Sequence, residues 1–429
     1  MALHGHLLAL LVLIALAASA VANQQHGTSA PVDLVPAAPG ASLAERARDD
    51  RHRHAYITSK LASRGGDPRR SAAEVGTSSS SSFSTPLSSG AYSGTGQFLA
   101  RFAVGTPAQQ FLLVADTGSD LTWVKCRGPG GASPPGSVFR PADSKSWATI
   151  PCSSDTCKLD VQGNLGVGAR RGGHGLGDHH GVERSQADAG RRGAGLHHHQ
   201  RRPELRVRRR RAQPGQQQHL LRDARVARFG GRFSYCLVDH LAPRDVAGYL
   251  TFGPTAGRVT AQTPLLLDPA LPFYTVTVHA VRVAGAALAI PADVWDVRKN
   301  GGVILDSGTT LTVLAGPAYK AVVAALSKGL AGVPRISFEP FEYCYNWTAR
   351  GPSAPEIPKL SVQFAGSALF EPPAKSYVID AAPGVKCIGV QEGDWPGVSV
   401  FGNIMQQEHL WEFDLKNRFV RFMPSTCTK

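Results

Sequence analysis

The sequence predicts an all-β fold of two lobes, and three observations carry that reading. Gly (46) and Pro (30) are plentiful in a 429-residue chain that is 42% apolar, which suits a turn-rich β protein better than a helical one. The apolar residues fall in short runs broken by turn signals. A pattern centred on an aspartate occurs twice, 190 residues apart, as expected if each lobe carries one copy.

The elements follow in chain order. His4 and His6 precede an apolar run over 7–18, and Ala20-Val21-Ala22 offers a small-residue cleavage site. That run is shorter than the ~20 apolar residues a spanning helix needs, so residues 1–22 read as a secretory signal. No later stretch is apolar enough to span a bilayer. Residues 23–95 are rich in Ser, Ala and Arg and read as a pro-segment and linker or, equally, as a disordered N-terminal tail. Within them "LAERARDDRHRHAYITSKL" (43–61) predicts a basic helix. Residues 96–250 form the predicted N-terminal lobe and 251–429 the C-terminal lobe. Strands are predicted at 248–252, 273–283, 302–305, 360–364, 376–379, 398–401 and 412–415. A helix is predicted at 316–326, with Pro317 just inside its start.

The repeat carries the chemistry. "LLVADTGSDLTWV" and "GGVILDSGTTLTVL" align with Asp306 on Asp116, Ser307 on Thr117, Gly308 on Gly118 and Thr309 on Ser119. Single Asp-Gly turns are common; a duplicated pattern of this length argues for a pair. Two carboxylates in one site cannot both ionise, so one holds a proton and its partner a charge. Such a pair activates a water and protonates a carbonyl oxygen. It needs no metal, no cofactor and no nucleophilic side chain. Gly118 and Gly308 allow close backbone approach. Thr117 and Ser307 are placed to link the two loops, and Ser119 and Thr309 to bond the outer carboxylate oxygens. The pair titrates as a unit and is expected to work in acid.

Seven cysteines in an exported chain read as disulfide material, although the number is odd. There is no C-x-x-C pair to support a zinc or thioredoxin reading. Asn346-Trp347-Thr348 is an N-glycosylation sequon.

Four stretches, "VGTPAQQFLLVADTGSDLTWVKC", "FSYCLVDHL", "GGVILDSGTTLTVL" and "FGNIMQQEHLWEFDLKNRFVRF", resemble the pepsin-like aspartic proteases, in particular the plant nepenthesin-type branch. The resemblance covers 96–158 and 229–428. It implies a bilobal double β-barrel with a cleft between the lobes and a flap over it. It also implies a monomeric endopeptidase made as a zymogen, acting on protein or peptide substrates in the extracellular space (apoplast) or the vacuole. Val400-Phe401-Gly402 resembles the element that packs behind the second Asp loop. The branch implies the disulfides Cys344–Cys387 and Cys236–Cys427, with Cys126, Cys152 and Cys157 unassigned.

Residues 159–228 depart from the family. Between 170 and 225 stand 14 Arg and 7 His against 5 acidic residues, which supplies +9 of the chain's +14. From 159 to 227 there is no Phe, Trp, Tyr, Ile or Met. Such a segment has too little apolar surface to offset the entropy of ordering. It reads as a basic arm for nucleic acid or an anionic surface, as a disordered insertion, or as the product of a shifted reading frame. Lack of interleaved aromatics and an exported chain argue against nucleic acid. No tyrosine lies between Tyr92 and Tyr235, so the family's flap tyrosine has no counterpart. Weak or absent protease activity is therefore expected. A catalytically inactive, protease-like binding or inhibitor protein is the second functional reading.

Overall fold

A computed structural model describes residues 42–62, 82–91, 95–119, 124, 138–147, 229–255, 261–267, 273–351 and 355–428. Residues 1–22, read as a signal sequence, the basic stretch 159–228 and Cys126, Cys152 and Cys157 lie outside the described residues.

The first element is the basic helix, α1 (Leu43–Ala62). Its start is a capping box: the Glu45 backbone N–H donates to Ser42 Oγ (3.3 Å), and the Ser42 backbone N–H donates to Glu45 Oε2 (2.7 Å). The strands after it are β1 (Phe83–Ser89), β2 (Phe98–Val104), β3 (Gln109–Val114), β4 (Arg232–Cys236), β5 (Ala247–Phe252) and β6 (Ala261–Pro264). Next come β7 (Thr275–Val276), β8 (Val278–Val283), β9 (Ala286–Ala287), β10 (Val303–Leu305) and β11 (Thr312–Ala315). Helix α2 (Gly316–Gly329) starts with Pro317 at its first turn, where a missing N–H costs nothing. The last strands are β12 (Arg335–Phe338), β13 (Phe341–Asn346), β14 (Leu360–Phe364), β15 (Leu369–Phe370), β16 (Val378–Ala382), β17 (Val385–Ile388), β18 (Val390–Gly393), β19 (Ser399–Phe401), β20 (His409–Asp414) and β21 (Phe419–Pro424).

The fold is all-β, as the sequence predicts, with the strands of the described residues in four sheets. An eight-stranded antiparallel sheet runs β3-β2-β1-β5-β4-β20-β21-β6, so strands from both halves of the chain share it. A mixed five-stranded sheet, β18-β11-β19-β10-β7, carries the second Asp loop between β10 and β11. Two four-stranded sheets, β12-β13-β17-β16 and β15-β14-β8-β9, complete the C-terminal half. None of these sheets closes into a barrel among the described residues.

Strand β1 lies within 23–95, the span read as pro-segment and linker. It pairs with β2 and with β5, Leu87 opposing both Ala100 and Gly248. Its serines hid it. Only Leu87 and Thr85 are buried in this strand, and a Ser-rich run carries little alternation to read.

The core is aromatic. Phe233 stacks on Phe413 with ring centroids 4.7 Å apart, and Trp411 packs against Phe370 and Phe422 at 5.1 and 5.0 Å. Trp411 is fully buried and donates its indole N–H to the Gln406 carbonyl (3.0 Å). Trp411→Ala is expected to lower stability by about 3–5 kcal/mol, the range for a buried large aromatic. Chemical denaturation of both forms measures it, and a loss below about 1 kcal/mol would contradict the packing described.

Among the described residues there are two disulfides. Cys236 on β4 joins Cys427, and Cys344 joins Cys387, its register partner across β13 and β17. These are the pairs the resemblance implies. Asn346 ends β13; its Oδ1 accepts from the Thr348 hydroxyl (2.7 Å) and the Ala349 N–H (3.1 Å).

Candidate active site

The two Asp loops leave their strands in the same way. β3 ends at Val114, and the Ala115 N–H donates to the Phe98 carbonyl (2.8 Å). β10 ends at Leu305, and the Leu305 N–H donates to the Tyr274 carbonyl (3.0 Å), while the Asp306 N–H donates to the Phe401 carbonyl (3.1 Å). Strand β19, which holds Val400 and Phe401, runs parallel to β10 and backs the second loop.

A reciprocal lattice of hydrogen bonds then ties loop to loop. Thr117 Oγ1 donates to the Leu305 carbonyl (3.0 Å) and accepts from the Ser307 N–H (2.9 Å). Ser307 Oγ donates to the Ala115 carbonyl (2.7 Å) and accepts from the Thr117 N–H (3.1 Å). Each carboxylate is held by its own loop. Asp116 accepts from the Gly118 N–H (2.8 Å) and the Ser119 hydroxyl (2.6 Å). Asp306 accepts from the Gly308 N–H (2.8 Å) and the Thr309 hydroxyl (2.6 Å). All eight residues of the aligned repeat meet here.

The glycines are required by the opposite carboxylate. A Cβ on Gly118 would lie 2.5 Å from Asp306 Oδ2, and one on Gly308 would lie 2.3 Å from Asp116 Oδ1. Asn403 supports the second loop from behind, donating to the carbonyls of Ser307 (3.2 Å) and Gly96 (2.9 Å).

Between the carboxylates sits a residue the sequence reading does not single out. Arg53 of α1 donates from Nε to Asp306 Oδ2 (2.7 Å) and from Nη2 to Asp306 Oδ1 (3.1 Å). The same Nη2 also donates to Asp116 Oδ1 (2.6 Å). This is a two-pronged contact with one carboxylate and a bridge to the other, which the planar guanidinium suits. Asp306 is wholly buried, and the Asp116 side chain retains 18% exposure.

The rest of α1 is fitted to the same surface. Ala47, Asp50, His54, Ile57 and Leu61 recur at i, i+3, i+7, i+10 and i+14 and form one buried stripe. Ile57 and Leu61 pack on Phe273, Ile304, Val313, Val398 and Val400. Ala47 packs on Leu311, Phe341, Ile379 and Ile404. At the middle of the stripe, His54 Nε2–H donates to the Val398 carbonyl (2.8 Å). Asp50 accepts from the N–H groups of Thr310 (2.8 Å) and Leu311 (2.7 Å). A signal was available: a stripe apolar at both ends and polar in the centre buries those polar groups only against matched partners.

The electrostatics follow from this packing. Burial works against the Arg53 charge, but the charges of Asp116 and Asp306 outweigh it and push its pKa up. Burial also raises Asp306, yet Arg53, Thr309 and Gly308 together bring it below the ordinary carboxylate range. Asp116 ends above that range, because burial and the Asp306 charge exceed what Arg53, Ser119 and Gly118 recover. Burial pushes Asp50 up from 3.8 to about 7, against its two backbone N–H donors and Arg53.

These shifts act on α1 in opposite senses. Arg53 lowers both aspartates, so the seated helix leaves the pair with fewer protons than an open cleft does. That contribution to seating is present above the pair's titration range and is lost as pH falls through it. Asp50 is raised on seating. Its contribution is fully present below 3.8 and is lost as pH rises through about 7. Seating is therefore expected to be tightest in mild acid, loosening toward pH 8 and toward strong acid. Amide exchange of α1 between pH 3 and 8, corrected for intrinsic rates, measures it. Protection that changes in one direction only across that range would sink the argument.

Among the described residues no group of His, Cys, Asp and Glu has the arrangement to hold a metal ion, and no helix is long and apolar enough to cross a membrane. The geometry is that of two carboxylates held in one site. Family models described as xylanase inhibitor N-terminal and C-terminal match residues 98–181 and 273–424. Aspartyl protease family protein 2 of Arabidopsis thaliana is 32% identical over 383 residues, covering 80% of this chain and 74% of that protein. Aspartic proteinase nepenthesin-1 of Nepenthes gracilis is 30% identical over 376 residues, with 78% and 79% coverage. Among solved structures, edgp superposes with a TM-score of 0.56 at 17% identity, covering 82% of this chain and 97% of its own. Basic 7S globulin from soybean does so with a TM-score of 0.51 at 18% identity, covering 82% and 96%. By sequence and by fold, the chain belongs to the pepsin-like aspartic proteases, in their plant nepenthesin-type branch.

Proposed function

We propose that this protein is an aspartic endopeptidase made as a zymogen, with Asp116 and Asp306 as the catalytic pair and α1 as the inhibitory part of its pro-segment. One observation carries the reading: the Arg53 guanidinium occupies the space between the two carboxylates where the attacking water belongs. A side chain there excludes water and substrate together. Once α1 leaves, the pair holds a water. The charged carboxylate takes its proton, and the protonated one donates to the scissile carbonyl. With Arg53 in place Asp306 is lowered and Asp116 raised; once Arg53 leaves, the two carboxylates share one proton and titrate as a pair. The substrates are proteins or peptides, the working pH is acidic, and the compartment is extracellular or vacuolar. In this reading the pro-segment spans α1 and ends before β1, and Asn346 carries a glycan.

The second reading, an inactive binding or inhibitor protein, is favoured by the description of the matching family models and by the missing flap tyrosine. One comparison separates the two. The Arg53→Ala chain is tested for cleavage of a denatured protein at acid pH, alone and with Asp306→Asn. Pepstatin-sensitive cleavage lost with Asp306→Asn supports the protease. No cleavage by either form supports the binder.

A further inference from the structure

Strand β4 brings one more polar group to the two Asp loops. Tyr235 is 2% exposed, with its ring 5.5 Å from that of Phe413, and a tyrosine hydroxyl buried this deeply needs a partner. The hydroxyl donates to Gln406 Oε1. Gln406 is fully buried as well, and its Nε2 donates to the carbonyls of Phe401 (2.7 Å) and Gly402 (3.3 Å). The Phe401 carbonyl is the one that also accepts from the Asp306 N–H. Tyr235 interacts with the Thr117 side chain too. One hydroxyl therefore reaches both loops, the first through Thr117 and the second through Gln406 and the Phe401 carbonyl. Burial and the Asp306 charge push the Tyr235 pKa up, so the hydroxyl keeps its proton and stays the donor.

Stability alone does not call for this arrangement. Two apolar side chains of the same shape would fill the space at little cost, because no polar group would then be buried. What the hydrogen bonds add is direction. Gln406 extends from a fixed base: its carbonyl accepts from the Trp411 indole (3.0 Å), and its N–H donates to the Asn403 carbonyl (3.1 Å). A Phe401 carbonyl held by Gln406 and bonded to the Asp306 N–H sets where the second loop leaves β10. With Thr117 held from the same hydroxyl, the two carboxylates are fixed relative to each other.

We propose that Tyr235 and Gln406 are positioning residues for the catalytic pair, joined by one buried hydrogen bond that sets the second Asp loop against the first. The catalytic half of this inference rests on the protease reading above. The structural half does not, because the hydrogen bonds stand whether or not the site cleaves peptides. Both residues act through the loops and not on the reacting atoms.

The test uses the full-length Arg53→Ala chain as parent. Adding Tyr235→Phe removes one oxygen and leaves Gln406 Oε1 buried without its donor. It is expected to lower kcat against a peptide by roughly tenfold, since small misplacements of reacting groups are costly, while KM changes by less than about twofold. It is also expected to lower the melting temperature by a few degrees. Adding Gln406→Leu to Tyr235→Phe removes both polar groups. The melting temperature is expected to return toward that of the parent, and kcat is not. Recovery of kcat together with stability would mean that the pair only fills space, and would overturn the proposal. So would an unchanged kcat in Tyr235→Phe. Amide exchange in the same chains needs no activity. The Asp306 and Ser307 N–H groups are expected to exchange roughly tenfold faster in both variants than in the parent, on the scale of one buried hydrogen bond. Unchanged exchange at both amides overturns the structural half. If the parent cleaves no peptide, the protease reading fails instead, and the exchange measurement still decides whether the pair holds the second loop.

Discussion

Arg53→Ala is expected to turn a silent full-length chain into one that cleaves protein at acid pH without prior removal of α1. Arg53 makes three hydrogen bonds to two carboxylates in a largely buried site. Removing one partner of a buried charge pair costs about 3–5 kcal/mol, because the other is left uncompensated. Here the loss falls on the seating of α1, since the aspartates relieve themselves by sharing a proton once the helix departs. At about 1.4 kcal/mol per tenfold, the open population rises at least about a hundredfold. Initial rates against a denatured protein, compared with the unaltered chain, report it directly. Arg53→Lys separates charge from shape. A lysine keeps the charge but lacks the fork that grips Asp306 and reaches Asp116 at once, so its activity is expected between the two. If Arg53→Ala is as silent as the unaltered chain after α1 has been shown to exchange freely, the inhibitory role of Arg53 is wrong.

The second large effect is that of Asp306→Asn in the opened chain. The amide keeps the size of the side chain: its oxygen can still accept from the Gly308 N–H, and its NH2 can donate to the Thr309 hydroxyl, which turns from donor to acceptor (2.8 and 2.6 Å in the native carboxylate). It cannot share a proton or take one from water. Loss of a general acid–base group typically costs 10²–10⁴-fold, and a fall of about that size in kcat/KM is expected, with the Trp411 core and both disulfides untouched. The hydrogen bonds between Thr117 and Ser307 hold the loops together whether or not position 306 ionises. Unfolding should therefore shift far less than activity. Activity that survives the substitution would remove Asp306 from the catalytic pair.

Much of the site was legible because the chemistry is local and duplicated. A loop of Asp-Thr-Gly-Ser or Asp-Ser-Gly-Thr specifies its own hydrogen bonds within three residues, so Gly118, Ser119, Gly308 and Thr309 follow from spacing. The strand periods of β10, β14 and β19 and the start of α2 at Pro317 were readable for the same reason. Strand β1 was not, because a serine-rich run pairs through its backbone and leaves little side-chain alternation to see.

The family, the all-β class and the two Asp loops are written in residues a few positions apart, so they can be read along the chain. Where α1 goes depends on contacts that only folding makes. Its basic composition reads as a solvated helix. Its meaning lies in Asp50, Arg53 and His54, whose partners, Thr310 and Leu311, Asp116 and Asp306, and Val398, stand 63 to 344 residues away along the chain. A charge reads as surface until the fold brings its counter-charges to it. Folding places two aspartates around one arginine, and burial there makes the contact strong enough to close the site.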